Sequence, residues 1–116
     1  MSAIETFFSG WGADDSTRVA AVTAAFGSSV YYADPQCPAP MTDVSALEQM
    51  VAMFGQHMPG GSAEVVKIDA HNGHARATVA FTKDGVAMMH GHYFADFDAD
   101  EKLVRLVGFP GLGTPE

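Results

Sequence analysis

The chain is poor in cysteine and poor in positive charge, and both shortages narrow its chemistry. A single cysteine, Cys37, among 116 residues excludes an internal disulfide and a metal site of several thiolates. That usage suits a reducing compartment, and the cytoplasm is the expected location. Lys and Arg number 6 against 14 Asp and Glu, for a formal net charge of −8. Lys67, Arg76, Lys83, Lys102 and Arg105 are scattered rather than clustered. Phosphate backbones and anionic bilayers are held by concentrated positive charge, so neither nucleic acid nor a membrane is an expected partner. No apolar run approaches the roughly 18 residues of a bilayer span. The segment Met1 to Gly10 lacks the basic start and long apolar core of a secretion signal. Repeats, low-complexity tracts and linkers are also missing, so residues 1–116 read as one domain.

What is present is apolar material: 47% of residues are hydrophobic and 17% charged, a composition that builds a core. Ile4, Phe7, Phe8 and Trp11 recur at helical spacing and predict a helix over 2–12. Asp14, Asp15 and Ser16 offer N-caps for a second helix through Val19, Val22, Ala25 and Phe26, with Gly27 as its stop. Ser29 to Ala33 reads as a short strand with Asp34 at its end. Pro35, Pro38 and Pro40 make the next stretch a loop. Ser45 and Glu48 form a capping-box pattern ahead of a stripe of Leu47, Met50, Val51, Phe54 and Met58. Four strands follow, near 62–70, 74–83, 86–97 and 102–109. Asn72-Gly73 and Asp84-Gly85 mark two tight hairpin turns, and 98–101 forms the third turn. Helices first and an antiparallel meander second make the class α+β.

These strands carry apolar residues on both faces. Val104 and Leu106 alternate with Leu103, Val107 and Phe109, with Arg105 sharing the parity of Leu103. Val86, Met88 and Phe94 alternate with Ala87, Met89, Tyr93 and Phe97. An antiparallel sheet usually wets one face, so one face is expected against the helices and the outer face against a second copy, as a homodimer.

The stretch Ala25-Phe26-Gly27-Ser28-Ser29-Val30-Tyr31-Tyr32-Ala33-Asp34-Pro35 resembles the passage from helix end through short strand to an acidic residue in the nuclear transport factor 2-like superfamily, which includes ketosteroid isomerases and SnoaL-like cyclases. Tyr93-Phe94-Ala95-Asp96-Phe97-Asp98 and Lys102-Leu103-Val104 resemble its final hairpin, with Phe109 as a terminal aromatic. The resemblance implies a cone-shaped, strongly bent antiparallel sheet wrapped around N-terminal helices, with an apolar cavity inside. It implies no cofactor. The superfamily includes isomerases, cyclases, hydrolases and non-catalytic members, so the fold alone does not choose among them.

By that resemblance Asp34 stands where a general base removes a proton beside a carbonyl, a task that an apolar pocket wall favours by raising a carboxyl pKa. Its other reading is a cap for the turn into Pro35. His92 falls near the position of an oxyanion donor, and His90 shares its strand face. Both also read as ordinary core or interface histidines. The superfamily's early-helix Tyr donor has no counterpart here. Tyr32, two residues before Asp34, is the substitute or else a core tyrosine. Trp11, Met50, Phe54 and Met58 are expected to line the pocket, or simply to pack. A metal set of His90, His92 and Asp34 is set aside, because paired histidines on one strand face are common without metal. Cys37 reads as inert, and His57, His71 and His74 as solvated or near element ends. If Arg105 points inward, Asp34 is its natural partner, an arrangement that resembles the superfamily's epoxide hydrolases. Gly108, Gly111 and Gly113 lack the setting of a phosphate loop. Two functions stand open: an isomerase or cyclase-like lyase acting on a small apolar carbonyl compound, and a non-catalytic ligand-binding or dimerisation module.

Overall fold

The computed structural model describes residues 2–27 and 29–110, so Gly111 and Gly113 lie outside it. Helix α1 spans Ala3–Ser9 and α2 spans Asp15–Ala25. Strand β1 is Tyr32–Ala33, and α3 runs Val44–His57. Strands β2 to β5 cover Gly61–His71, His74–Lys83, Val86–Phe97 and Leu103–Pro110. Among the described residues no helix is long and apolar enough to cross a membrane.

The helix ends differ from expectation in instructive ways. Ser2 and Glu5 form a reciprocal capping box, and Gly10 closes α1, which leaves Trp11 beyond the helix. Asp14 caps α2 by accepting from the Thr17 N–H. That helix stops at Ala25 because Phe26 turns to extended backbone and bridges Leu103, before Gly27 is reached. The cap of α3 is Asp43, which accepts from the Ser45 N–H, in place of a Ser45–Glu48 box.

The sheet order is β1-β5-β4-β3-β2. β2 to β5 form the antiparallel meander, and β1 pairs parallel to β5, so the sheet is mixed. Both hairpin turns form as read: Asn72 and Gly73 adopt φ of 49° and 79°, Asp84 and Gly85 φ of 53° and 82°.

One face of the sheet carries the core. Ala75, Ala77, Val79 and Phe81 of β3, Tyr93 and Ala95 of β4, and Leu103 and Leu106 of β5 pack with Ile4, Phe7, Phe8, Val22, Leu47 and Val51 from the helices. Burying such a side chain contributes about 1.5–3 kcal/mol each. Register shifts lie between Val65 and Lys67, between Phe81 and Thr82, and between Asp96 and Phe97. The last leaves Val104 unpaired between Leu103 and Arg105. One extra residue reverses side-chain parity beyond it. Leu103 and Leu106 are therefore both buried, whereas Arg105 is turned to the outer face with Phe109 and the half-buried Val107. That bulge corrects the alternation expected for β5.

Candidate functional site

Asp34 sits just past β1, and half-buried. Its Oδ1 accepts the backbone N–H groups of Gln36 at 2.8 Å and Cys37 at 3.1 Å. This is the turn-capping use of Asp, and it orients the carboxylate. Its Oδ2 accepts the Tyr32 hydroxyl at 2.5 Å. Tyr32 is fully buried, because its strand joins β5 through Leu106 and its ring packs against Phe7. Tyr32, read as a substitute donor or else a core tyrosine, is thus a core residue whose hydroxyl is bonded to Asp34 itself.

Two further groups close on this carboxylate, and neither was expected there. Tyr93 reaches the same place from β4, and its hydroxyl interacts with that of Tyr32. Its ring fits because position 108 across the ladder and position 91 on its own strand are both glycine. A Cβ on Gly108 would lie 2.4 Å from the ring, and one on Gly91 3.0 Å from it. Cys37 is the fourth member, held by its N–H bond to Asp34. Burial pushes the Cys37 thiol up to about 11, helped by the charge of Asp34. Burial raises both tyrosines well above their ordinary values, with Asp34 adding to it. At neutral pH the cluster is one carboxyl group among three protonated donors. The glycines flanking Tyr93 were the sequence signal that could have located it.

His92 is not part of this cluster. Tyr93 faces the helices, so its neighbour His92 projects from the opposite face, where its Nδ1 is hydrogen-bonded to Thr78 Oγ1 at 3.1 Å. His90 shares that outer face. Arg105 is there too, over the Tyr31 ring at 5.1 Å and 3.9 Å from Asp96 Oδ2, and not beside Asp34. The set of Asp34, His90 and His92 does not come together. Among the described residues no three His, Cys, Asp or Glu side chains converge as a metal-binding group.

Trp11, Met50 and Phe54 lie on the helix side of the sheet, and His90 does not join them. Trp11 packs against Phe7, Phe8, Phe54 and Phe81. Its Nε1 is buried and has no acceptor among the described residues. A donor left so costs about 1–3 kcal/mol. Two hollows open elsewhere. One of about 350 Å³ lies on the outer face between Phe94, Asp96, Arg105 and Phe109, and one of about 700 Å³ runs between the start of α1 and the 72–73 and 98–101 turns. Asp34 and Trp11 line neither.

No family profile and no curated protein matches the chain. Solved structures do. The chain is similar to a protein of the SnoaL-like family from Agrobacterium tumefaciens str. C58, with a TM-score of 0.83, 19% identity and 95% of both chains covered. It is similar to a protein of ketosteroid isomerase-like fold from Catenulispora acidiphila, at TM-score 0.74 and 13% identity over 95% of this chain and 85% of that one. It is also similar to an LEH-like epoxide hydrolase of M. tuberculosis, at TM-score 0.65 and 14% identity over 94% of this chain and 80% of that one. The chain has the nuclear transport factor 2-like fold, in the form found in SnoaL-like and ketosteroid isomerase-like proteins.

Proposed function

We propose that the protein is an isomerase or cyclase-like lyase that does acid/base chemistry on a small apolar carbonyl compound, with Asp34 as the base. The observation that supports this reading is the Asp34 carboxylate gripped by Tyr32 at 2.5 Å beside an aromatic core. Proton removal from carbon needs a fixed, ionised acceptor. The two backbone N–H bonds fix Oδ1, and Oδ2 keeps a lone pair beyond the one that meets Tyr32. Tyr32 orients the base in this scheme, and Tyr93, in place of His92, is the hydroxyl that donates to the developing enolate oxygen. The similar proteins named as ketosteroid isomerase-like and SnoaL-like make this class the natural one to try first.

The test is hydrogen–deuterium exchange at the carbon beside the carbonyl of a panel of apolar cyclic ketones in D2O, followed by NMR. The protein should accelerate exchange of at least one ketone, Asp34→Asn should abolish that acceleration, and both proteins should give the same folded spectrum. An unchanged rate in Asp34→Asn ends the role of Asp34 as base.

A second reading, a non-catalytic ligand-binding module, is favoured by one observation: both oxygens of Asp34 already hold donors. Exchange that no panel member shows would select it. Either form is proposed to be a cytoplasmic homodimer joined through the outer sheet face, where Phe94 and Phe109 meet edge to face while 47% and 52% exposed. Sedimentation should give a dimer at micromolar concentration, and Phe94→Lys a monomer.

A further inference from the structure

We propose that the outer sheet face is a pH switch: two copies of the chain pair through it near neutral pH, and protons taken up by His90 and His92 drive them apart in mild acid. This rests on the dimer proposed above and adds its regulation.

Charge argues that a second copy is the occupant. The strand registers place Lys67, Arg76 and Arg105 on the outer face together with Glu64, Asp69 and Asp96. The cations and carboxylates balance, with Asp69 3.0 Å from Arg76 and Asp96 3.9 Å from Arg105. The whole chain carries −8, so that surplus lies off this face. Two copies of so acidic a chain repel over most of their surface. On the outer face they meet without that penalty, and the exposed Phe94 and Phe109 are there to pack.

The histidines gather on the same face. His71, His74, His90 and His92 share it, and of the chain's 5 only His57, at the end of α3, does not. They form two pairs. His71 and His74 lie at the rim, where the larger hollow also holds Asp98, Asp100 and Glu101, and His74 Nδ1 is 2.6 Å from Asp96 Oδ1. A proton gained there meets negative charge. His90 and His92 stand half-buried on β4, the middle strand of the sheet but one from β1 and β2 alike. His92 has Thr78 beside it on β3, with Lys67 beyond, and Phe109 beside it on β5. His90 has Ala80 beside it and Glu64 one strand further, about 10 Å away by strand spacing. Among the described residues neither ring is within ion-pair distance of a carboxylate.

The sign follows. A second copy seated over these rings strips water from them and favours the neutral form. Separated copies therefore bind more protons than the dimer, and dissociation grows as pH falls through the range in which imidazoles titrate. The rest of the chain responds in the opposite sense. Its isoelectric point is near 4.8, so mild acid lowers its net charge and by itself favours association.

Sedimentation equilibrium at fixed ionic strength tests the switch. The dimer Kd of the unaltered protein should be about tenfold larger or more at pH 5.5 than at pH 7.5. The double variant His90→Gln, His92→Gln should hold its Kd level over that range, whereas His57→Gln should keep the full rise. His92→Lys needs no acid: its fixed charge should give a monomer at pH 7.5, where His92→Gln stays a dimer. A Kd that is level or falls toward pH 5.5 overturns the switch and leaves the dimer standing. A monomer at pH 7.5 overturns both. A rise that survives the double variant removes the assignment to His90 and His92. Should the chain unfold at pH 5.5, the comparison at pH 7.5 decides, and equal dimers of His92→Lys and His92→Gln overturn the proposal.

Discussion

Tyr93 and Phe94 are adjacent on β4 and meet opposite circumstances. Tyr93 is 4% exposed and Phe94 47%. Each touches another ring, Phe8 at 4.8 Å for Tyr93 and Phe109 at 5.8 Å for Phe94. Ring contacts therefore do not tell the two faces apart. What does is the layer of helices, which covers one face and leaves the other to its own cross-strand neighbours. The covered face holds the four-membered cluster at Asp34. The open one holds both β4 histidines, Arg105 and the exposed aromatic pair.

This contrast can be broken by measurement. The largest effect is expected on the covered face: Phe8→Ala should lose about 3–5 kcal/mol in urea unfolding, while Phe94→Ala in the monomer should stay within about 0.5 kcal/mol. Similar losses at the two sites would erase the distinction. Gly108→Ala comes next, at about 1–3 kcal/mol, because the added carbon would meet the Tyr93 ring at 2.4 Å. Gly55→Ala is its control. Nothing lies within 4 Å of a Cβ at that helical position, so it should gain about 0.5–1 kcal/mol. Tyr32→Phe should cost about 1–3 kcal/mol by removing a donor from Asp34.

The smallest effect is a slope with pH. In the folded chain the Cys37 thiol rises from an ordinary 9.0 to about 11, and Tyr32 and Tyr93 rise too. The unfolded chain gives up these protons first. Between these values it binds fewer protons than the native state, so stability must fall as pH rises past about 9. Urea midpoints from pH 7.5 to 10.5 check this, and Tyr32→Phe should flatten the fall. A level profile in the unaltered protein would mean these groups are wetter than the structure has them.

Much of the architecture was legible because it is written in local chemistry. Asn72-Gly73 and Asp84-Gly85 admit positive φ cheaply, and the turns formed where those pairs stand. The stripe from Leu47 to Met58 traced α3 for the same kind of reason. Three things escaped. The bulge at Val104 leaves no mark where both parities are apolar, so the parity that Arg105 shares with Leu103 in the sequence did not fix its face. The shared face of His90 and His92 was read correctly, but which face the helices would cover depends on the whole topology. Tyr93 meets the Asp34 cluster only through contacts between distant segments, whereas Cys37 joins it within the local turn, which its reading as an inert thiol passed over. The pairing of Tyr32 with Asp34 was within reach because two residues along a strand share a side.

The empty space at position 108 also binds two sites into one inheritance. Any chain of this architecture that gains a methyl group or more at 108 must surrender the ring at 93, and with it the hydroxyl that reaches toward Asp34. Substitutions at the two positions should therefore travel as a pair through descent. A lineage that keeps the tyrosine while enlarging its neighbour would have had to bend the β4–β5 ladder to make room.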